Sequence, residues 1–172
     1  IEQNGFLARY DAASREVRTI DRPGFFLDRE PVRFIRGDGG NFLAMIDSSG
    51  GLFLYDHAAG AARPAASGAT GAAFDADEEK LLIIKEREIA VLWLTDNDRQ
   101  PFQKKDTMET VVHEANPIKQ AGWYHATAAH TVYRTRAGIF ISEIDTRGGG
   151  NSYELVAGPV DDLITSPLVP NG

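Results

Sequence analysis

The sequence predicts an all-β fold built from repeated four-stranded antiparallel units. Four apolar segments each end in an aspartate, and these are Asp11, Asp56, Asp96 and Asp145, spaced 45, 40 and 49 residues apart. The last three aspartates each follow an aromatic residue by 22 positions, and the aromatic residues are Phe34, Phe74 and Trp123. Unrelated hairpins have no reason to share this internal spacing. Strand-like copies with a period of about 40 to 50 residues are typical of β-propeller blades.

Each copy has the same order of elements. A short strand with the aromatic residue is followed by a polar turn, a second apolar strand, a tight turn and a third strand that ends in the aspartate. A weaker fourth strand closes the copy, and Gly and Ser supply the backbone angles that such turns need. We therefore predict a partial β-propeller of about three complete blades in one domain. The predicted ranges are a partial blade 1–30, blades 31–70, 71–115 and 116–158, and a partial blade 159–172.

The middle strands are apolar on both faces, as in "LLIIK" and "AVLWL". A strand with this pattern is buried on both sides, which a stack of sheets achieves and a lone hairpin does not. Fully burying one Leu or Ile side chain contributes about 1.5–3 kcal/mol. The predicted core is Phe34, Leu43, Ile46, Leu52, Leu54, Phe74, Leu82, Ile84, Leu92, Leu94, Trp123, Val132, Ile139 and Ile141.

Two segments fit the repeat less clearly. His57 to Ala73 is rich in Ala and Gly, and it is interpreted as a fourth strand or as a loop or linker. Asp106 to Glu114 has residue types that suit a short helix, but its place in the repeat and the Val111-Val112 pair favour a strand.

The composition excludes several classes of function. A net charge of -7 and a pI near 5.1 disfavour nucleic-acid binding and docking on an anionic membrane. Without cysteine there is no disulfide and no thiol chemistry. No apolar run approaches the length of a membrane span, so this segment is not expected to insert in a bilayer. Because the chain begins at Ile1 within patterned sequence, we interpret it as a piece of a longer protein.

Several motifs invite a functional interpretation, and each has a simpler one. The histidines His57, His113, His125 and His130 are interpreted as solvated residues, since the five-residue spacing of the last two does not suit zinc. Arg36-Gly37-Asp38 is interpreted as a turn in which Gly37 takes a positive φ, rather than as an adhesion tripeptide. The run from Asp75 to Glu79 is interpreted as a solvated acidic turn, because a calcium loop needs a Gly and a longer run.

The remaining candidates do not predict catalysis either. The Gly-rich run from Asp145 to Asn151 has no following Lys and is interpreted as a hairpin between third and fourth strands. Ser48, Ser49 and Ser152 lie outside any nucleophile elbow. Tyr124 and Phe102 are aromatic candidates for a ligand surface, although Phe102 is expected to pack at the base of its loop. We predict no catalytic residue, no metal site and no cofactor.

The repeats resemble bacterial propeller repeats of the TolB-like and WD-repeat-like kind. A more specific similarity is to the C-terminal propeller-like region of bacterial PEGA-domain-containing proteins. It rests on residues 90–105 and on the run "NPIKQAGWYHATAAHTVYRTRAGIFISEIDTRGGGNSYELV". This resemblance covers most of the chain and is strongest from about Glu86 to Ala157. It implies an extracytoplasmic, envelope or surface location through a membrane anchor that is not in this chain, and a binding or scaffold role. It supplies no catalytic residues.

Three hypotheses for function follow. The leading one is a non-catalytic binding or scaffold module that recognises a protein or glycan on its rim loops. The second is a propeller enzyme, such as a glycan hydrolase or lyase, with paired carboxylates in the channel of the complete protein. The third is a structural spacer that presents another domain.

Overall fold

The computed structural model describes residues 8–19, 31–124, 128–149 and 151–161, and these residues form strands and turns without a helix. None of them therefore belongs to a helix that could span a bilayer. The strands are β1 (Ala8–Asp11), β2 (Glu16–Thr19), β3 (Pro31–Arg36), β4 (Phe42–Asp47), β5 (Leu52–Asp56), β6 (Ala61–Ala66), β7 (Ala69–Phe74), β8 (Lys80–Lys85), β9 (Glu88–Trp93), β10 (Met108–His113), β11 (Gln120–Tyr124), β12 (His130–Arg134), β13 (Gly138–Glu143) and β14 (Ser152–Ala157).

The strands form antiparallel sheets in sequence order. β1 pairs with β2, and three four-stranded sheets follow, namely β3–β6, β7–β10 and β11–β14. The predicted all-β class with three four-stranded antiparallel sheets is confirmed. Phe34, Phe74 and Trp123 lie on the first strands of these sheets, and the segments interpreted as fourth strands contain β6 and β10. Residues 162–172, most of the predicted C-terminal partial blade, lie outside the described residues.

The chain forms two compact units. The first comprises Ile1–Arg36 and Gly40–Gly68, and the second comprises Gly37–Gly39 and Ala69–Gly172. A small core in the first unit consists of Met45, Phe53 and Tyr55, with Leu43 and Ala62 packed against them. It arises because alternate residues of β4 and β5 lie on one face of their sheet.

The core of the second unit lies between two sheets. Strand β8 lies against β11, and β10 lies against β13. One sheet contributes Leu82, Val91 and Trp93, while the other contributes Tyr133 and Ile144. Both sheets thus remove apolar surface from water through a shared interface, which is the packing that the two-sided apolar pattern predicted.

The predicted core is partly correct. Seven of its members are buried, namely Ile46, Leu52, Leu54, Leu82, Leu92, Leu94 and Val132. Six are half-buried, namely Leu43, Phe74, Ile84, Trp123, Ile139 and Ile141. The prediction is wrong for Phe34, whose side chain is 48% exposed. It also omitted fully buried residues, among them Met45, Ile83 and Tyr133. Repeat position identifies the strand, but burial depends on what lies against that part of the sheet.

The repeated aspartates close the connections between third and fourth strands. Asp56 Oδ1 accepts hydrogen bonds from the backbone N–H groups of Ala58 and Ala59, at 2.9 and 3.1 Å. Asp96 Oδ1 accepts one from the N–H of Lys105 at 2.8 Å. Asp145 Oδ1 accepts one from the N–H of Arg147 at 3.2 Å. These bonds satisfy backbone donors at the turns, which gives the repeated aspartate a structural reason.

Candidate functional site: a loop surface on the second unit

The connection between β9 and β10 stands out by its length. It runs over 14 residues, 94–107, whereas the equivalent connection between β5 and β6 has four, 57–60. The backbones of Asn97 and Gln103 exchange hydrogen bonds of 2.8 and 3.1 Å. The side-chain amide of Asn97 also donates to the carbonyl of Pro101 at 2.7 Å. The tip of this long loop is therefore closed by its own hydrogen bonds.

Phe102 lies on this closed tip and is 66% exposed. The expectation that it packs at the base of the loop is wrong. Since the bonds made by Asn97 already close the loop, the phenyl ring is not needed to hold it. A large exposed aromatic side chain on an ordered loop is a common feature of recognition surfaces.

Polar contacts tie the loop to the strand that follows it. The carboxylate of Asp96 accepts hydrogen bonds from the N–H of Lys105 and from Lys104 Nζ, the latter at 3.2 Å. Gln103 Nε2 donates to Glu109 Oε2 on β10 at 2.9 Å. Both the start and the end of the loop are thus anchored by hydrogen bonds.

The connection between β13 and β14 lies beside this loop. The hydroxyl of Thr146 hydrogen-bonds the carboxylate of Glu109. The guanidinium of Arg147 donates to Gln100 Oε1 at 3.4 Å and to the carboxylate of Asp145. The two connections therefore form one continuous surface, which we call the loop surface and define as Arg99, Gln100, Phe102, Lys104 and Arg147.

Asp96 and Asp145, the carboxylates that pair with cations of the loop surface, are ionised at neutral pH. The hydrogen bond from the Arg147 side chain lowers the pKa of Asp145 below its ordinary value, and the same contact raises the pKa of Arg147. The pKa of Asp96 is also lowered, first by the backbone N–H of Lys105 and then by the side chain of Lys104. Two cations of the loop surface, Lys104 and Arg147, are therefore paired with carboxylates at neutral pH.

Replacing Arg147 by glutamine is expected to raise the pKa of Asp145 towards its ordinary value, because the main cause of the shift is removed. A lowered pKa in the folded state means that the pair adds stability above the ordinary carboxyl pKa, and that this stability is lost as the pH falls through the lowered pKa. Carboxyl ¹³C chemical shifts measured against pH check this. Asp96 is the control and should titrate unchanged. An Asp145 pKa that is equal in both proteins would contradict the contact.

A second polar cluster lies inside the second unit. Asp75 and Lys80 are 5% and 7% exposed, and Lys80 Nζ lies 2.8 Å from Asp75 Oδ2. The ammonium also lies 5.3 Å from the ring centroid of Trp93 and 6.0 Å from that of Trp123. The interpretation of residues 75–79 as a solvated turn is thus wrong for Asp75 and for Glu78, which is 2% exposed. Lys80 makes burial of Asp75 tolerable by supplying the opposite charge.

The Arg36-Gly37-Asp38 tripeptide also has a packing explanation. A Cβ atom at Gly37 would lie 2.1 Å from Glu78 Oε1, and both residues belong to the second unit. Gly37 thus lies close against the Glu78 side chain and does not have a positive φ, so that part of the prediction is wrong. The positive φ in this turn belongs to Gly40, at +70°.

The other candidate residues are dispersed. His57 contacts the ring of Tyr55, His113 Nδ1 lies 3.3 Å from Glu88 Oε1, and His130 contacts Tyr124, which is 50% exposed. His125 lies outside the described residues. Ser49 donates its hydroxyl to Asp47 in the turn between β4 and β5, and Ser152 donates to Ser142. Among the described residues, no three His, Asp or Glu side chains are grouped to hold a metal ion.

Comparison with known proteins supports the fold. No family model and no curated protein matches the chain. Among solved structures it is similar to dihydro-heme d1 dehydrogenase NirN in complex with DHE, with a TM-score of 0.60 and 13% identity over 92% of this chain and 33% of that one. The chain thus spans about a third of the length of NirN. Together with the three four-stranded sheets, this similarity shows a partial β-propeller.

Two further structures resemble the chain at TM-scores below 0.5. The β-propeller domain of Cps50 (Swd1) from Myceliophteria thermophila has 16% identity and a TM-score of 0.47, over 77% of this chain and 45% of that one. A chain of the mitotic checkpoint complex has 13% identity and a TM-score of 0.40, over 87% of this chain and 61% of that one. The fold assignment does not depend on them.

Proposed function

We propose that this chain is a non-catalytic binding or scaffold module that recognises a protein partner through the loop surface. The observation that carries the proposal is Phe102, which is 66% exposed on a loop that is already closed and anchored. Aromatic side chains buried at the centre of an interface commonly dominate its binding energy. Because hydrogen bonds within the chain already close and anchor the loop, less conformational entropy should be lost when a partner covers it.

The charges of the loop surface favour a protein over a polyanion. Lys104 and Arg147 are each paired with a carboxylate of this chain, and the chain as a whole carries a net charge of -7. Two of the three cations of the loop surface are therefore neutralised by carboxylates of the chain itself, and the surface offers an aromatic ring among hydrogen-bonding groups. Aromatic residues and Arg are enriched in the centres of protein–protein interfaces.

The non-catalytic part of the proposal is supported by the buried ion pair of Asp75 and Lys80, whose charges contact each other. Asp75, the carboxylate of the buried ion pair, is engaged by Lys80 through both its side-chain and its backbone nitrogen. Such a carboxylate has a structural role in the packing of the sheet, whereas a general acid or base must exchange its proton with a substrate. The similarity to NirN concerns the fold alone, so the proposal takes no activity from that protein.

We further propose that the module belongs to a bacterial envelope or surface protein that contains a PEGA domain and a membrane anchor elsewhere in its chain. The support is the resemblance of Glu86 to Ala157 to the C-terminal region of such proteins. Detection of the full-length protein in a membrane fraction, and its exposure to protease added outside the inner membrane, would test this location.

Replacing Phe102 by alanine is expected to weaken partner binding by about 30-fold, which corresponds to a hot-spot contribution of about 2 kcal/mol. Cross-linking from envelope extract identifies the partner, and calorimetry with the purified partner measures the affinity. Tyr124→Ala is the matched control, since Tyr124 is 50% exposed but lies outside the loop surface.

Equal affinities for the Phe102→Ala and Tyr124→Ala proteins would show that the loop surface is not the binding site. Turnover of a glycan substrate by the purified chain would overturn the non-catalytic assignment. A partner that is a glycan rather than a protein would correct the partner class and leave the site in place.

A further inference from the structure

A carboxylate of strand β10 joins the two connections that form the loop surface. Glu109 Oε2 accepts a hydrogen bond from Gln103 Nε2 at 2.9 Å, and Glu109 Oε1 accepts one from the hydroxyl of Thr146. Gln103 follows Phe102 in the long loop, and Thr146 precedes Arg147 in the connection between β13 and β14. One side chain thus contacts the residue next to Phe102 and the residue next to Arg147.

Glu109 occupies an otherwise apolar row of its sheet. Ala73, Leu82 and Val91 lie side by side on β7, β8 and β9, and Glu109 lies opposite Val91 on β10. The three apolar residues belong to the core between the two sheets of the second unit or pack against it. Glu109 is half-buried at the outer end of this row. A carboxylate in such a place loses part of its hydration, and its hydrogen bonds replace what it loses.

The repeat does not require a carboxylate at this position. When the three four-stranded sheets are aligned on the rows that begin at the repeated aromatic residues, the equivalents of Glu109 are Ala66 on β6 and Tyr153 on β14. Ala66 pairs with Leu52 and Tyr153 with Ile141, each one residue before the third-strand residue of its row. The fourth strand thus accepts a small or an aromatic residue where β10 has Glu109. The sheet does not account for the carboxylate, whereas the two connections that it contacts do.

A strand residue is well placed to fix the spacing of two loops. Five residues of β10, with Glu109 among them, pair with residues of β9, so the backbone of Glu109 has a fixed place in the sheet. Side chains on strands hold a binding site more closely than side chains on loops. The second link between the connections, from Arg147 Nη2 to Gln100 Oε1, joins two exposed side chains at 3.4 Å and is weaker. Glu109 therefore fixes this spacing more firmly than the surface contact does.

We propose that Glu109 is a positioning residue of the loop surface, which holds Phe102 and Arg147 at the spacing at which one protein partner contacts both. The inference rests on the proposed function, because it takes the loop surface to be a site for protein binding. It adds that the partner spans both connections and that the two halves of its site are coupled through one carboxylate. Holding both halves in place before binding reduces the conformational entropy that binding removes.

Backbone amide resonances of the purified 172-residue chain test the coupling without a partner. Thr146→Val removes a hydroxyl that reaches the long loop through Glu109, so we expect shift changes at the amides of Phe102 and Gln103. In a Glu109→Leu background the same replacement should leave these resonances unchanged, because the link is already broken. Shift changes that are absent from the Thr146→Val chain, or equal in both backgrounds, would overturn the inference.

Glu109→Leu is expected to fold, because the other two four-stranded sheets have Ala66 and Tyr153 at this position. Its circular dichroism spectrum and its urea midpoint should therefore stay close to those of the unaltered chain. Glu154→Leu is the matched control, since it removes a carboxylate from an exposed position of another fourth strand and changes the net charge equally.

Calorimetry with the purified protein that cross-linking to the unaltered chain recovers measures the consequence for binding. We expect the Kd to rise about 10-fold for Glu109→Leu and to stay nearly the same for Glu154→Leu. Glu109→Gln should recover most of the affinity, because its amide oxygen can accept from Gln103 while its NH₂ group donates to the Thr146 hydroxyl. An equal Kd for Glu109→Leu and the unaltered chain would overturn this inference and would leave in place the proposed function, which Phe102→Ala tests.

Discussion

Replacing Lys80 by methionine is expected to lower the free energy of unfolding by about 3–5 kcal/mol. The side chains of Lys80 and Asp75 are 9% and 3% exposed, and their charges lie 2.8 Å apart. Methionine fills most of the volume of lysine, but it leaves the carboxylate of Asp75 buried without its counter-ion. The substitution also removes the ammonium group of Lys80 and with it the cation–π contacts with the rings of Trp93 and Trp123. Urea unfolding followed by tryptophan fluorescence measures the loss.

Lys104→Met is the matched control for this prediction. The Lys104 and Asp96 side chains are 76% and 53% exposed, and their pair is screened by water, so stability should be nearly unchanged. The double variant Asp75→Asn with Lys80→Met should recover part of the loss, because no isolated charge then remains buried. A loss for Lys80→Met as small as that for Lys104→Met would show that the inner pair is hydrated.

Replacing Tyr133 by alanine is expected to lower the free energy of unfolding by about 3–5 kcal/mol. The side chain is fully buried between the two sheets of the second unit. Its ring stacks on that of Phe140, with centroids 5.4 Å apart, and its hydroxyl donates to Glu114 Oε1 at 2.7 Å. Burial, and then this hydrogen bond, raise the pKa of Tyr133, so the hydroxyl stays protonated and remains a donor.

Tyr133→Phe separates the two contributions. It keeps the ring and removes the hydrogen bond, so we expect a loss of about 1 kcal/mol. Tyr124→Ala, on the neighbouring strand and 50% exposed, should cost much less than Tyr133→Ala. Guanidinium unfolding of the three variants gives the order. If Tyr133→Ala cost no more than Tyr124→Ala, the two sheets would not share the core described here.

The sheets could be predicted because their markers are local. Asp56 and Asp145 bond to N–H groups two or three residues later, so their positions follow from the turn itself. The fixed distance from each aromatic residue to its aspartate then places the first and third strands. Local hydrogen bonding and strand length therefore suffice to give the number and order of strands.

Features that depend on neighbouring sheets could not be predicted. Phe34 and Trp123 share a repeat position, but Phe34 is 48% exposed, whereas the indole N–H of Trp123 bonds to the carbonyl of Ala73 on another sheet. The burial of Asp75 depends on Lys80, whose polar side chain gave no signal of a buried position. Phe102 is exposed on a loop that the amide of Asn97 closes, with a hydrogen bond that residue types alone do not reveal.

The repeated aspartate serves connections of very different size. Asp56 accepts hydrogen bonds in a connection of four residues, and Asp96 does so at the start of one with 14. Because the carboxylate secures the exit from the third strand, the intervening segment can be lengthened or exchanged with little disturbance to the sheet. A segment with a different binding specificity can therefore be inserted after such an aspartate. Sequence variation among propellers with this repeat is expected to concentrate in the connection between the third and fourth strands.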